Sequence, residues 1–222
     1  MSRNNTRTGI LRFGTLCVLF CALLLFLPVR AEAASSKTKA LKAYKKFLAQ
    51  STMTWGEGSS TTVTLSKCRF AVVYLDKNSV PELILYAGSN SVDGSDGSYL
   101  IYTYKNGRVT FVARAWESFS YYKKKGVYLT SHRWNGYYYT FSSATAVRRF
   151  SVTDETVSYY DINGDGEYSL VYKRFADATD STGTVISKSA FNSQLKSLIG
   201  SKKLTTPKFR KNTAANRKKY LK

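Results

Sequence analysis

The chain has 222 residues, with 34 Lys and Arg against 14 Asp and Glu, three cysteines and a single histidine. That inventory leaves no material for a many-histidine metal centre or a disulfide-built scaffold. A formal charge of +20 directs attention to anionic partners instead.

Arg3, Arg7 and Arg12 precede a continuous apolar run from Gly14 to Leu27, and Pro28 is followed by the small-residue pattern Ala31-Glu32-Ala33-Ala34. A run of about 14 residues falls short of the roughly 20 that span a bilayer as a permanent helix, so residues 1–33 read as a signal peptide cleaved near Ala33. The expected location is secreted, extracellular or associated with the cell wall. Leu16 and Phe20 stand before Cys17 and Cys21, where a lipid-attachment signal needs a small residue. Both cysteines leave with the leader. Cys68, in Cys68-Arg69-Phe70-Ala71-Val72-Val73-Tyr74, reads as a buried thiol in a strand.

Without the leader, 30 basic and 13 acidic residues remain. From Lys188 to Lys222 there are eleven Lys and Arg and no acid; between Ala34 and Gln50 there are five lysines and no acid. The middle of the chain is nearly neutral, so the basicity belongs to the flanks. For an exported protein the nearest polyanions are cell-wall teichoic acids, anionic lipid head groups and acidic glycans, and nucleic acid is not an expected partner. The candidate polyanion contacts are Lys202, Lys203, Lys208, Arg210, Lys211, Arg217, Lys218 and Lys219.

Residues 34–50 carry Leu41, Tyr44, Phe47 and Leu48 on one side of a helix and Lys39, Lys42, Lys45 and Lys46 elsewhere, the pattern of an amphipathic basic helix. Such a helix docks on a β body or lies on a membrane surface. Residues 51–200 read as one β-rich domain. Strands are expected at Arg69–Leu75, Glu82–Ala87, Tyr99–Tyr104, Val109–Ala113, Val127–Ser131, Tyr137–Phe141, Val147–Val152, Val157–Tyr160, Tyr168–Arg174 and Thr184–Ile186, with Ser51–Ser66 a loop or exposed strand. Asn106-Gly107 and Asn135-Gly136 mark two hairpin turns, since a type I′ turn needs positive φ at both central positions. Ser187 is expected to cap a helix bearing Phe191, Leu195, Leu198 and Ile199, which Gly200 ends. Residues 201–222 read as a loosely attached basic tail. The fold class is mainly β (α+β): an antiparallel meander forming a curled sheet, partial barrel or propeller-like arrangement, with one helix near each end.

Four segments then occur in order: Tyr44-Lys45-Lys46-Phe47-Leu48; Asp76-x-Asn78-x-x-Pro81-Glu82-Leu83; Tyr102-x-Tyr104-Lys105-Asn106-Gly107-Arg108-Val109; and Phe209-Arg210-Lys211-Asn212-Thr213-Ala214-Ala215-Asn216-Arg217. In these the chain resembles a loosely defined family of secreted proteins of Gram-positive bacteria with EF-hand-like loops, Tyr-rich strands and a basic C-terminal tail. The resemblance implies an exported protein and no particular activity. Members usually carry a fuller Asp-x-Asp-x-Asp-Gly-x-Pro-Glu-Leu at the first loop, where this chain has Ser79 and Val80 in place of Asp-Gly.

The stretch Asp161-Ile162-Asn163-Gly164-Asp165-Gly166-Glu167 supplies oxygens at alternate positions of a glycine-bent loop. Calcium takes such oxygens at loop positions one, three, five and seven. Asp161, Asn163, Asp165 and Glu167 are therefore candidate Ca²⁺ ligands, with Asp76, Asn78 and Glu82 a second candidate set. An EF-hand also needs a bidentate glutamate at position twelve, and Tyr172 stands there, so a short calcium loop between strands is the form expected. The alternative is a polar turn whose Asx side chains bond their own backbone. Asp93-Gly94-Ser95-Asp96-Gly97 reads as plain turn chemistry.

Enzyme readings find little support. Any triad or zinc site must pass through His132, whose neighbours offer no nucleophile elbow and no second histidine at ligand spacing. Thirteen of the 17 tyrosines fall between Tyr99 and Tyr172; strand alternation puts such rings on both faces of a sheet, suiting either a half-buried sheet or a glycan surface. The reading is a secreted, non-catalytic binding or structural protein of the bacterial cell envelope, with a weak calcium loop and affinity for anionic wall polymer or glycan. The alternative is a secreted enzyme or inhibitor acting on envelope or host glycans.

Overall fold

The computed structural model describes residues 36–54, 62–88, 98–132, 135–142, 145–154, 170–176 and 180–222. The leader, the Asp93–Gly97 turn, the strand expected at Val157–Tyr160 and the Asp161–Glu167 loop lie outside these residues.

The chain begins with α1 at 36–47. Next come β1 (Thr52–Thr54), β2 (Thr62–Thr64), a 3₁₀ turn at Leu65–Lys67, β3 (Arg69–Val73), β4 (Glu82–Gly88), β5 (Ser98–Lys105) and β6 (Arg108–Ala115). They are followed by β7 (Ser120–Tyr122), β8 (Val127–His132), β9 (Asn135–Ser142), β10 (Thr145–Asp154), β11 (Leu170–Arg174), β12 (Thr184–Ile186) and α2 (Lys188–Ile199). The C-terminal segment adds β13 (Leu204–Thr205), β14 (Arg210–Lys211) and α3 (Ala214–Tyr220). The protein is mainly β, and every strand pairing among the described residues is antiparallel. One five-stranded sheet runs β14-β3-β4-β5-β6, one seven-stranded sheet runs β12-β11-β10-β9-β8-β7-β13, and β1-β2 form a ribbon. Among the described residues both large sheets have open edges and neither closes into a barrel.

The five-stranded sheet is the middle layer, which explains its strand sequences. Alternation along β3, β4 and β5 points Phe70, Leu83, Leu85, Leu100 and Tyr102 to one face, where Ala40, Leu41, Tyr44 and Leu48 of the α1 segment cover them. Val73, Ile84 and Ile101 point to the other face, against Phe119, Tyr121 and Tyr128 around β7 and β8. A strand buried on both faces loses its polar alternation, so β4 reads Leu-Ile-Leu at its centre. The α1 helix thus docks, with Lys37, Lys39, Lys42, Lys45 and Lys46 exposed outside. Tyrosines line both faces: Tyr44 and Tyr102 lie in the helix-side core, while on the other face Tyr86 and Tyr99 lie 4.8 Å apart by ring centroid and Phe119 is 5.5 Å from Tyr128.

Two turn expectations have different outcomes. Asn106 and Gly107 have φ of 52° and 79°, and Lys105 pairs with Arg108 across them, as a type I′ turn requires. Asn135-Gly136 is not a turn. Asn135 already pairs with His132 and Gly136 with Ser131, so the dipeptide opens β9. The α2 termini match the sequence reading: Ser187 Oγ accepts from Ala190 N–H at 3.1 Å, and Gly200, at φ 60°, donates its N–H to Lys196 O at 2.8 Å.

The largest correction concerns residues 201–222. They were expected to hang loosely; instead they supply two strands, a third helix and buried Pro207, Asn212 and Leu221. Apolar periodicity is absent because only three side chains are buried, and polar hydrogen bonds supply the attachment.

Candidate functional site

The C-terminal segment is tied down residue by residue. β13 pairs with β7 in the seven-stranded sheet and β14 with β3 in the five-stranded sheet, so residues 206–209 cross from one sheet to the other. Phe209 anchors the crossing against Tyr99, ring centroids 5.5 Å apart. Asn212, 3% exposed, donates from Nδ2 to Leu48 O at 2.8 Å and to Leu65 O at 2.9 Å. Leu48 follows α1, so Asn212 satisfies a carbonyl that the end of a helix leaves unpaired. Thr213 Oγ1 caps α3 by accepting from Asn216 N–H, and Asn216 Nδ2 returns to Lys211 O. Arg217 Nη1 donates to Asn212 Oδ1 at 2.9 Å. The Asn-Thr-Ala-Ala-Asn-Arg run, which the sequence offers only as a family mark, is therefore a clasp joining the C-terminal segment to the start of the domain.

This clasp sorts the candidate polyanion contacts. Lys202, Lys203, Lys208, Lys211, Lys218 and Lys219 are exposed. Arg217 is half-buried and engaged by the fold, and Arg210 lies with its guanidinium 5.2 Å from the centre of the Tyr220 ring. A further cationic group, missed in sequence, belongs with them. The β7–β8 turn contains Lys123, Lys124 and Lys125, and the pairing of Leu204 with Tyr122 carries Lys202 and Lys203 to that turn. Lys124 N–H bonds Tyr74 O at 2.9 Å and Gly126 N–H bonds Leu75 O at 2.7 Å, which fixes the turn against the end of β3. In sequence these lysines lie within the neutral stretch; only the strand pairing brings them to the basic face.

Beside the crossing lies a cleft of about 350 Å³. Its floor is β3, where β14 pairs only with Arg69 and Phe70, so from Ala71 to Val73 that edge has no strand partner among the described residues. Thr205, Thr206, Lys208 and Arg210 form one wall, with Tyr121 and Tyr220 adding rings.

The first acidic loop bonds itself. Asp76 Oδ1 accepts from Asn78 N–H at 3.0 Å, Asp76 Oδ2 from Asn78 Nδ2 at 3.0 Å, and Asn78 Oδ1 from Val80 N–H at 2.7 Å. These are the Asx turns of the polar-turn reading. Glu82 is fully buried; its Oε2 accepts from Leu75 N–H at 2.8 Å, and its Oε1 has no hydrogen-bond partner. Burial, reinforced by the charge of Asp76, pushes the Glu82 carboxyl up from 4.5 to about 8 against the opposing bond from Leu75. Beside it Tyr44 donates its hydroxyl hydrogen to Pro81 O at 2.8 Å. Among the described residues no three His, Cys, Asp or Glu side chains assemble into a metal-holding group. Asp161, Asn163, Asp165 and Glu167 lie outside the described residues.

Cys68 is buried and donates to Thr64 O at 3.4 Å, and burial pushes its thiol up to about 11. That disfavours the thiolate a nucleophile needs. It sits in the helix-side core, whereas β8, which His132 closes, belongs to the sheet packed on the opposite face. Comparison with family models, with curated proteins and with solved structures gives no match.

Proposed function

We propose that this chain is an exported, non-catalytic binding protein of the bacterial cell envelope that holds anionic wall polymer or glycan on its basic face. The observation that carries this reading is the fixed placement of exposed Lys202 and Lys203 beside the Lys123–Lys125 turn, with exposed Lys208, Lys211, Lys218 and Lys219 on the same clasped segment. Cations on a fixed backbone present a charge pattern at the cost of side-chain ordering alone, whereas a loose tail would also lose backbone freedom on binding. Attraction of this kind is screened by salt.

The test is retention of the full chain on purified anionic wall polymer along a salt gradient. The variant Lys202→Gln/Lys203→Gln/Lys218→Gln/Lys219→Gln is expected to elute at clearly lower salt while melting within about 2 °C of wild type, because exposed substitutions perturb stability little. Equal elution of the two proteins defeats the proposal. Deleting residues 201–222 is the wrong test, since it would also remove Asn212 from its two buried carbonyls.

The same reading gives the Asp161–Glu167 loop a weak calcium ion. At a calcium concentration tenfold above a millimolar-range Kd, binding to the folded state alone adds about 1.4 kcal/mol. The melting temperature should rise by about 3–6 °C over its value in EDTA. Asp161→Ala should abolish the rise; a rise that survives this substitution excludes the loop as its source.

A further inference from the structure

The basic face explains attraction to polyanions in general, but the cleft within it is built for more than charge. We propose that the cleft between β3 and the 206–209 crossing holds one anionic sugar unit of the bound polymer, so that the protein selects acidic glycans from among polyanions. This rests on the polyanion reading of the preceding subsection and refines it.

Three features of the cleft carry the inference. First, cations and aromatic surface coincide. Lys208 and Arg210 line the cleft, and Arg210 and Lys219 lie 5.2 and 5.4 Å from the ring centre of Tyr220. Tyr220 is 40% exposed, one of three large hydrophobics exposed among the described residues, whereas Tyr121 is 8% exposed. A sugar ring offers an apolar C–H face to such walls while its acidic group meets the cations. Second, hydroxyl chemistry is present: Thr205 and Thr206 line the same wall, with Ser120 Oγ 3.1 Å from Thr206 Oγ1. Polyphosphate would use the cations and could accept from the hydroxyls, but would leave the ring without a role. Third, the volume of about 350 Å³ lies at the small end of ligand pockets, the scale of one sugar unit with its substituent. The unpartnered edge of β3 runs only from Ala71 to Val73, too short for an added peptide strand to gain much of a ladder.

The test uses the full chain and three probes at one ionic strength: a galacturonate oligomer as the anionic sugar, polyphosphate as an anion without sugar, and polyglutamate as an acidic peptide. Affinities are read by titration calorimetry. The galacturonate oligomer is expected to bind tightest. Tyr220→Ala should weaken it by about tenfold and shift polyphosphate by less than about twofold, whereas Tyr220→Phe should retain wild-type affinity. The lysine variants at 202 and 203 should weaken all three probes. Equal loss for galacturonate and polyphosphate, or no loss for either, overturns the sugar cleft and leaves the basic face standing. Tightest binding of polyglutamate overturns it in favour of a peptide. Failure of wild type to bind any of the three defeats the polyanion reading itself.

Discussion

Asn212→Ala should lower the melting temperature by about 6–12 °C, corresponding to a loss of about 3 kcal/mol in a domain of this size. The substitution removes two donations from one buried amide, to Leu48 O and Leu65 O, and takes the Oδ1 acceptor from Arg217. A net hydrogen bond contributes about 1 kcal/mol and three are lost, while Leu65 O keeps the Cys68 N–H at 3.0 Å and Leu48 O keeps Arg217 Nη1 at 3.4 Å, so no orphaned carbonyl adds to the loss. Asn216→Ala, in the helix that follows, is the matched control on the same segment. Its bond to Lys211 O is exposed, so it should cost less than about 1 kcal/mol. Thermal unfolding followed by circular dichroism separates the two. If both variants melt within about 2 °C of wild type, the clasp does not hold the segment and the ordered basic face loses its foundation.

How much of this was legible in the sequence depends on which force built each part. Strands made by alternation and a two-residue turn were readable: the β5–β6 hairpin sits where Asn106-Gly107 places it, and α2 lies between its Ser187 cap and Gly200. Asn135-Gly136 carries the same local signal as Asn106-Gly107, yet pairing with Ser131 and His132 places it in a strand. Register is a property of both strands and overrides a dipeptide. The C-terminal clasp was illegible because its attachment is polar and long-range; Asn212 and Leu48 are 164 positions apart, and no periodicity announces such a bond. The candidate site divides in the same way. Its lysines were evident as a run without acids, whereas the contribution of Lys123–Lys125 and the existence of the cleft required two sheets joined by the 206–209 crossing.

Glu82 gives the other large expected effect, in the dependence of stability on pH. Its carboxyl titrates near 8 in the folded protein and near 4.5 when solvated, so between these values the folded state binds more protons than the unfolded state. The difference in bound protons, unfolded minus folded, is then negative, and unfolding free energy falls as pH rises. The contribution of Glu82 is complete below about pH 4.5 and is lost as pH passes through about 8. The full span has an upper bound of about 5 kcal/mol. Other carboxylates titrate across the same range, so the informative quantity is the difference between wild type and Glu82→Gln at each pH. A glutamine keeps an acceptor for Leu75 N–H and carries no charge to desolvate. Relative to wild type, the variant should gain stability steadily from pH 5 to pH 8, by a few kcal/mol in urea unfolding. A flat difference from pH 5 to pH 8 would mean that Glu82 is ionised in the fold, either hydrated or facing a cation as the metal-loop reading of Asp76, Asn78 and Glu82 requires. Only the rising difference agrees with a neutral carboxyl that serves as a hydrogen-bonding strut beneath the Asx loop, joining the end of β3 to the start of β4.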